Sequence, residues 1–203
     1  MPPVDRFVPR FAAEPPQDPL PYGRWAARLS EEFLAACLRL DGAGADLGTP
    51  GELVWFPDRT WHGRTYVPVS TRTTTGLELF GHVSFVPGDT PDDFRADADF
   101  TADTADANPD WALDLSDDVV GAWRGENGRV ADMALVWGVP LVKGGVVATA
   151  ELADLVVDQC ALVDGRFTLL APDTYRGDSL EVKLFDHKGR ELARESLYAE
   201  EDE

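Results

Sequence analysis

Lysine is nearly missing from this 203-residue chain: it stands only at Lys143, Lys183 and Lys188, and 37 acidic residues face 18 basic ones, for a formal charge of −19. A field of that sign repels nucleic-acid phosphates and anionic lipid headgroups, which argues against direct binding to either. Cysteine is scarce too. Cys37 and Cys160 lie far apart, each among apolar residues, so no disulfide framework or cysteine zinc site is expected, only buried free thiols. No apolar run approaches the length of a membrane span, and the first residues lack the charged, apolar, small-residue order of a signal peptide. Together these absences predict a cytoplasmic protein with no membrane contact. Nucleophile-elbow and phosphate-cradling glycine motifs are also lacking. No catalytic residue, cofactor or metal is therefore expected.

What is present is a β pattern centred on 61–86. Thr65, Val67, Val69 and Thr71 alternate with Arg64, Tyr66, Pro68 and Ser70, and Leu77–Val86 alternates in the same way, the period-two signature of half-buried strands. A three-residue loop of Thr74, Thr75 and Gly76 puts Gly76 where the common hairpin bulge needs positive φ. It also sets Val67 against Val83, Thr65 against Phe85 and Arg72 against Glu78, so one face is apolar on both strands. The opposite face then carries Arg64, Tyr66, Phe80, His82 and Ser84, with His62 at its near end. Of these, His62, Arg64, Tyr66, Phe80 and His82 are the candidate ligand- or partner-binding residues, set against the plainer reading of a second packing surface.

Seven prolines in residues 1–21 hold that stretch extended as an arm. From Trp25 the spacing turns helical, with Ala26, Leu29, Phe33, Cys37 and Leu40 on one side, which predicts an amphipathic helix over about 25–40 packed on a sheet. Between Gly88 and Asp118 lie eleven aspartates, no glutamate and one basic residue, Arg95. This stretch, 88–118, reads as a solvated acidic excursion with a short helix over 101–108. Asp97, Asp99, Thr101 and Asp103 match the first ligand positions of an EF-hand, but Ala102 stands for its glycine and Asn108 for its final glutamate, so no calcium loop is expected.

The remainder reads as antiparallel strands over 119–123, 130–142, 146–151, 155–163, 166–171, 180–186 and 191–200, with turns at 125–128, 143–145, 164–165 and 186–189. Gly121-Ala122-Trp123 resembles the Gly-x-Trp signature of calycin barrels such as lipocalins. In that family the motif opens the first strand, near the N-terminus, so here the resemblance implies a barrel and no function. The expected fold is mainly β: a single antiparallel β-barrel or strongly curved β-sandwich over 22–203 with the N-terminal helix packed on it. The expected function is non-catalytic binding of a small apolar or aromatic ligand, or of a basic protein partner, and a homo-oligomer is compatible with it. The alternative is a small enzyme, of hydrolase or lyase/isomerase type, using His82 or His62 with a carboxylate.

Overall fold

The structure, a computed structural model, describes residues 25–42, 44–124, 130–173 and 179–197. The proline-rich arm, the turn expected at 125–128 and the acidic tail lie outside these. The described elements run α1 (Ala26–Cys37), β1 (Val54–Trp55), β2 (Arg59–Trp61), β3 (Arg64–Arg72), β4 (Glu78–Val86), β5 (Asp92–Thr101), β6 (Leu113–Arg124), β7 (Val130–Pro140), β8 (Val147–Leu152), β9 (Leu155–Ala161), β10 (Phe167–Pro172), β11 (Glu181–Phe185) and β12 (Glu191–Ser196). They form three antiparallel sheets: β1-β3-β4-β5 with β2 also on β3, then β10-β7-β6, then β12-β11-β8-β9. Among the described residues no helix is long and apolar enough to cross a membrane.

The central hairpin has the expected register, with Val67 opposite Val83, Thr65 opposite Phe85, Pro68 opposite His82 and Arg72 opposite Glu78. Gly76 has φ +87°, and the loop closes through Thr73 N–H to Leu77 O at 2.9 Å and Gly76 N–H to Thr73 O at 3.0 Å. The apolar face of this hairpin receives α1. Leu29 and Phe33 are fully buried against Val67, Val69, Leu79, Val83 and Phe85, and burial of each such side chain contributes about 1.5–3 kcal/mol. Ser30 does not cap a shorter helix: its hydroxyl donates to Ala26 O at 2.8 Å, inside the continuous helix.

The chain is mainly β as expected, and among the described residues the strands form three antiparallel sheets, none closed into a barrel. The reason lies in β7. Met133, Leu135 and Trp137 pack with Phe56, Trp61, Tyr66 and Leu170 toward the first sheet, whereas Ala134 and Val136 pack with Ala148, Ala150, Phe167, Leu169, Val182 and Leu184 toward the third. A strand apolar on both faces needs a cover on both sides, and alternation sends its residues to each in turn. The Gly-x-Trp sequence falls near the end of β6, an edge strand of the second sheet. There a Cβ on Gly121 would stand 2.7 Å from Trp61 Cζ3, so glycine at 121 lets the Trp61 ring seat on the strand.

The acidic excursion is mostly strand. Phe94, Ala96, Ala98 and Phe100 of β5 pack toward α1 and the apolar hairpin face, with aspartates alternating between them. Period-two burial, half-hidden by the aspartate content, overrides the reading of an irregular solvated segment. The short helix expected over 101–108 is one turn, closed by Ala107 N–H and Asn108 N–H on Thr104 O, with Asp103 N–H on Thr101 Oγ1.

One carboxylate links all three sheets. Asp158 of β9 accepts the Leu170 N–H of β10 at 2.8 Å and lies 3.4 Å from Arg59 Nη2 of β2. Arg59, 2% exposed, also donates to Gln159 O at 2.9 Å. Removing one partner of a buried pair strands the other charge, at a cost of about 3–5 kcal/mol. Arg59→Met is therefore expected to lower unfolding free energy by about 3 kcal/mol or more, measured by chemical denaturation; a loss below about 1 kcal/mol would show the pair is dispensable.

Candidate functional site

Of the five residues singled out on the hairpin, Tyr66, Phe80 and His82 stay together, with the Tyr66 and His82 rings 5.6 Å apart and Phe80 packed against the cluster that holds Tyr66. Tyr66 is buried beside Met133, Leu135 and Trp137. Burial raises its phenol pKa, against the pull of Arg64 and then Arg95. Arg64 bonds the Asp93 carboxylate, donates to Asp93 O at 2.9 Å and reaches Ser84 Oγ at 3.3 Å, so it fastens β3 to the start of β5. His62 sits exposed in the β2–β3 turn with φ +50°, its ring stacked 4.2 Å from Trp61. Phe80 lines the place where the first and second sheets leave space, and His82 lies beside it, against Asp97 and Asp118.

That space is a pocket of about 380 Å³ lined by Phe80, Gly81, Asp97, Ala98, Asp99, Asp117, Asp118, Val119 and Trp137. Its walls are β5 and β6, the edge strands of their sheets. Edge strands leave backbone groups unpaired, and charged side chains along them discourage pairing with other chains. Gly81 has a packing reason to be glycine, since a Cβ there would fall 2.1 Å from Asp97 O. The ladder between β6 and β7 shifts register between Val119 and Gly121, immediately after Asp118, where such a bulge changes the direction of nearby side chains. At the back, Phe80 and Trp137 tilt against one another at 6.4 Å, and the buried Trp137 Nε1–H has no hydrogen-bond partner among the described residues.

His82 lies against two of the lining aspartates. Its side chain is 5% exposed, with Nδ1 3.1 Å from Asp118 Oδ2 and Nε2 3.8 Å from Asp97 Oδ2; the Tyr66 ring lies 5.6 Å away. Asp97, Asp99, Asp117 and Asp118 were not singled out as a site in the sequence, whereas Trp137 belongs to the set of aromatic residues expected as a lining. The first four were read as one acidic stretch, and the only signal that separates them is which strand face each occupies. Asp97 and Asp99 lie on β5, so the EF-hand-like spacing falls on a strand rather than in a loop.

Beyond the Trp137 wall lies a second, more apolar pocket of about 200 Å³, whose lining includes Val54, Phe56, Glu78, Asp114 and Ser116. The carboxylates along this cleft are held uncomfortably. Burial pushes Glu78 upward, with Asp114 adding to it; burial raises Asp114; burial, then Asp173 and Asp118, raise Asp117. Groups with a folded pKa above the unfolded one favour the fold while protonated, and that contribution fades as pH climbs from about 4 through the raised values. Asp186 has the opposite sign. Backbone N–H donation from Arg190, with the Arg190 side chain and Lys188 N–H, lowers it to about 2, so its contribution is present above its ordinary value of 3.8 and lost as pH falls through about 2. The melting temperature is thus expected to peak near pH ~4 and to be lower at pH ~8, and added salt should raise it at the higher pH by screening. A melting temperature flat from pH ~4 to ~8 and indifferent to salt would show that these carboxylates do not strain the fold.

No protein-family model matches the chain, and neither a curated protein nor a solved structure matches it.

Proposed function

We propose that the chain is a non-catalytic binding protein, a single β-rich domain of stacked sheets of the sandwich type, whose acidic pocket receives a cationic side chain from a basic protein partner. The observation that supports this is the lining itself: Asp97, Asp99, Asp117 and Asp118 stand around the Phe80 and Trp137 rings. A guanidinium or ammonium group gains from carboxylates at its edge and an aromatic face beneath it. The chain's net charge of −19 steers a basic partner toward it. A small apolar or aromatic ligand fits less well, because Tyr66 is sealed in packing and carboxylates dominate the pocket wall. His82 beside Asp118 resembles a base with its orienting acid, which supports the enzyme reading, but a side chain 5% exposed offers little access for proton exchange with a substrate. The two buried thiols, Cys37 and Cys160, are free, and burial raises Cys37 to about 11; unpaired, unreactive cysteines support a reducing, cytoplasmic setting.

The test is fluorescence anisotropy with short labelled peptides that differ only in charge. An arginine-containing peptide is expected to bind with affinity that falls steeply with salt. The double variant Asp99→Asn with Asp117→Asn should weaken it about tenfold, equivalent to about 1.4 kcal/mol. Equal binding of a neutral or acidic peptide would overturn the proposal.

A further inference from the structure

We propose that His82, Asp97 and Asp118 form a binding site for a divalent transition-metal ion, of the zinc or manganese kind, at the inner side of the acidic pocket. It goes beyond the basic-partner reading and does not rest on it. The three residues come from three strands in two sheets: His82 from β4, Asp97 from β5 and Asp118 from β6. One ring nitrogen and one carboxylate oxygen from each aspartate lie within 4.8 Å of one another. Ligand atoms around an ion at bonds of about 2.0–2.2 Å stand at most about 4.4 Å apart, so only a small side-chain adjustment separates this arrangement from coordination. Asp97, with a side chain 72% exposed, is free to make it.

An acidic cluster alone would not justify this, and His82 supplies the independent observation. Its Nδ1 is buried without a hydrogen-bond partner among the described residues. Asp118 Oδ2 is near, at 3.1 Å, but off the hydrogen-bond direction. A buried nitrogen left in that state asks for an explanation, and a metal ion shared with the neighbouring carboxylates provides one. Its donor set selects the class of ion. Calcium gathers six to eight oxygens and magnesium keeps its waters, whereas an imidazole nitrogen with two carboxylates suits zinc, manganese or their first-row neighbours. Three protein ligands leave at least one coordination position, and Asp97 and Asp118 both line the open pocket, so that position is accessible to water or to a group from a partner. An ion there also neutralises charge at the most crowded part of the cleft.

Isothermal titration of the full chain with zinc chloride, manganese chloride and calcium chloride, without any peptide, tests the site directly. One equivalent of zinc or manganese should bind saturably, with calcium weaker by at least about tenfold. Asp97→Asn and Asp118→Asn, both changes on side chains with solvent access, should each cost at least about tenfold, since losing a group that merely supports a metal ligand already costs about 10- to 100-fold. Asp99→Asn removes the same charge from the same wall and should change affinity by no more than about twofold, the scale of a screened surface charge. Nitrogen-15 NMR of the imidazoles should show zinc moving the His82 signals and leaving His62 and His187 in place, which makes the outcome independent of whether a His82 variant folds. No saturable binding, equal affinity for calcium, equal loss in Asp99→Asn and Asp97→Asn, or an unmoved His82 signal would each overturn the proposal. Peptide binding is scored separately, so either reading can fail while the other stands.

Discussion

The packing of the three sheets against one another depends on the Asp158 carboxylate. Strand ladders hold each sheet together internally, but hydrophobic packing between layers is non-directional and leaves sliding poorly resisted. Asp158 fixes the offset, because one side chain on the third sheet accepts a backbone N–H from the second and faces a buried guanidinium from the first. Arg166, donating to Trp55 O at 3.2 Å, and Trp61, seated on Gly121, repeat the constraint nearby. Burial raises the Asp158 pKa even though Arg59 and the two backbone donors, Leu170 and Gln159, oppose it. The fold therefore keeps an ionisable group where desolvation works against it, in exchange for a defined alignment of layers.

That alignment is what creates the pocket. Where Trp61, seated on Gly121, draws the first and second sheets together, the packing is closed around Phe56, Tyr66 and Leu135. Toward β5 and β6 the sheets end in edges carrying aspartates, and like charges facing one another do not close. The same residues thus serve two purposes: they block edge-to-edge association, and they hold open a cleft whose potential attracts cations.

The hairpin was legible in the sequence because both of its strands showed alternation and the loop tolerated only one register that matched their faces. The strands from Val130 onward were legible for a similar reason, with glycine-bearing turns separating them. β5 was not, because its apolar members are two alanines and two phenylalanines diluted by aspartate, so composition spoke louder than period. The number of sheets was also hidden: alternation reports that a strand has faces but not which distant strand covers each. For the same reason Phe80 and His82 could be found from their own hairpin and Trp137 from its aromatic character, while the pairing of Trp137 with Phe80 and of Asp118 with His82 across the two sheets could not. His62 shared the expected face only by sequence proximity, since the turn leaves it exposed, while Arg64 stays with Ser84 on that face and also bonds Asp93.

The two-sided burial of β7 has a consequence for the order in which the chain can become compact during synthesis. The hairpin, β5 and α1 emerge first and can cover one face of the first sheet among themselves, yet the face carrying Trp61, Tyr66 and Phe80 finds its partner only when Met133, Leu135 and Trp137 arrive. Until then an apolar surface is open to wrong partners, the circumstance in which nascent β proteins aggregate. The segment that emerges in that interval is the aspartate-rich one, and charged residues beside a sticky strand act as gatekeepers. The acidic stretch is placed in the chain where an incomplete molecule most needs to be kept apart from its copies.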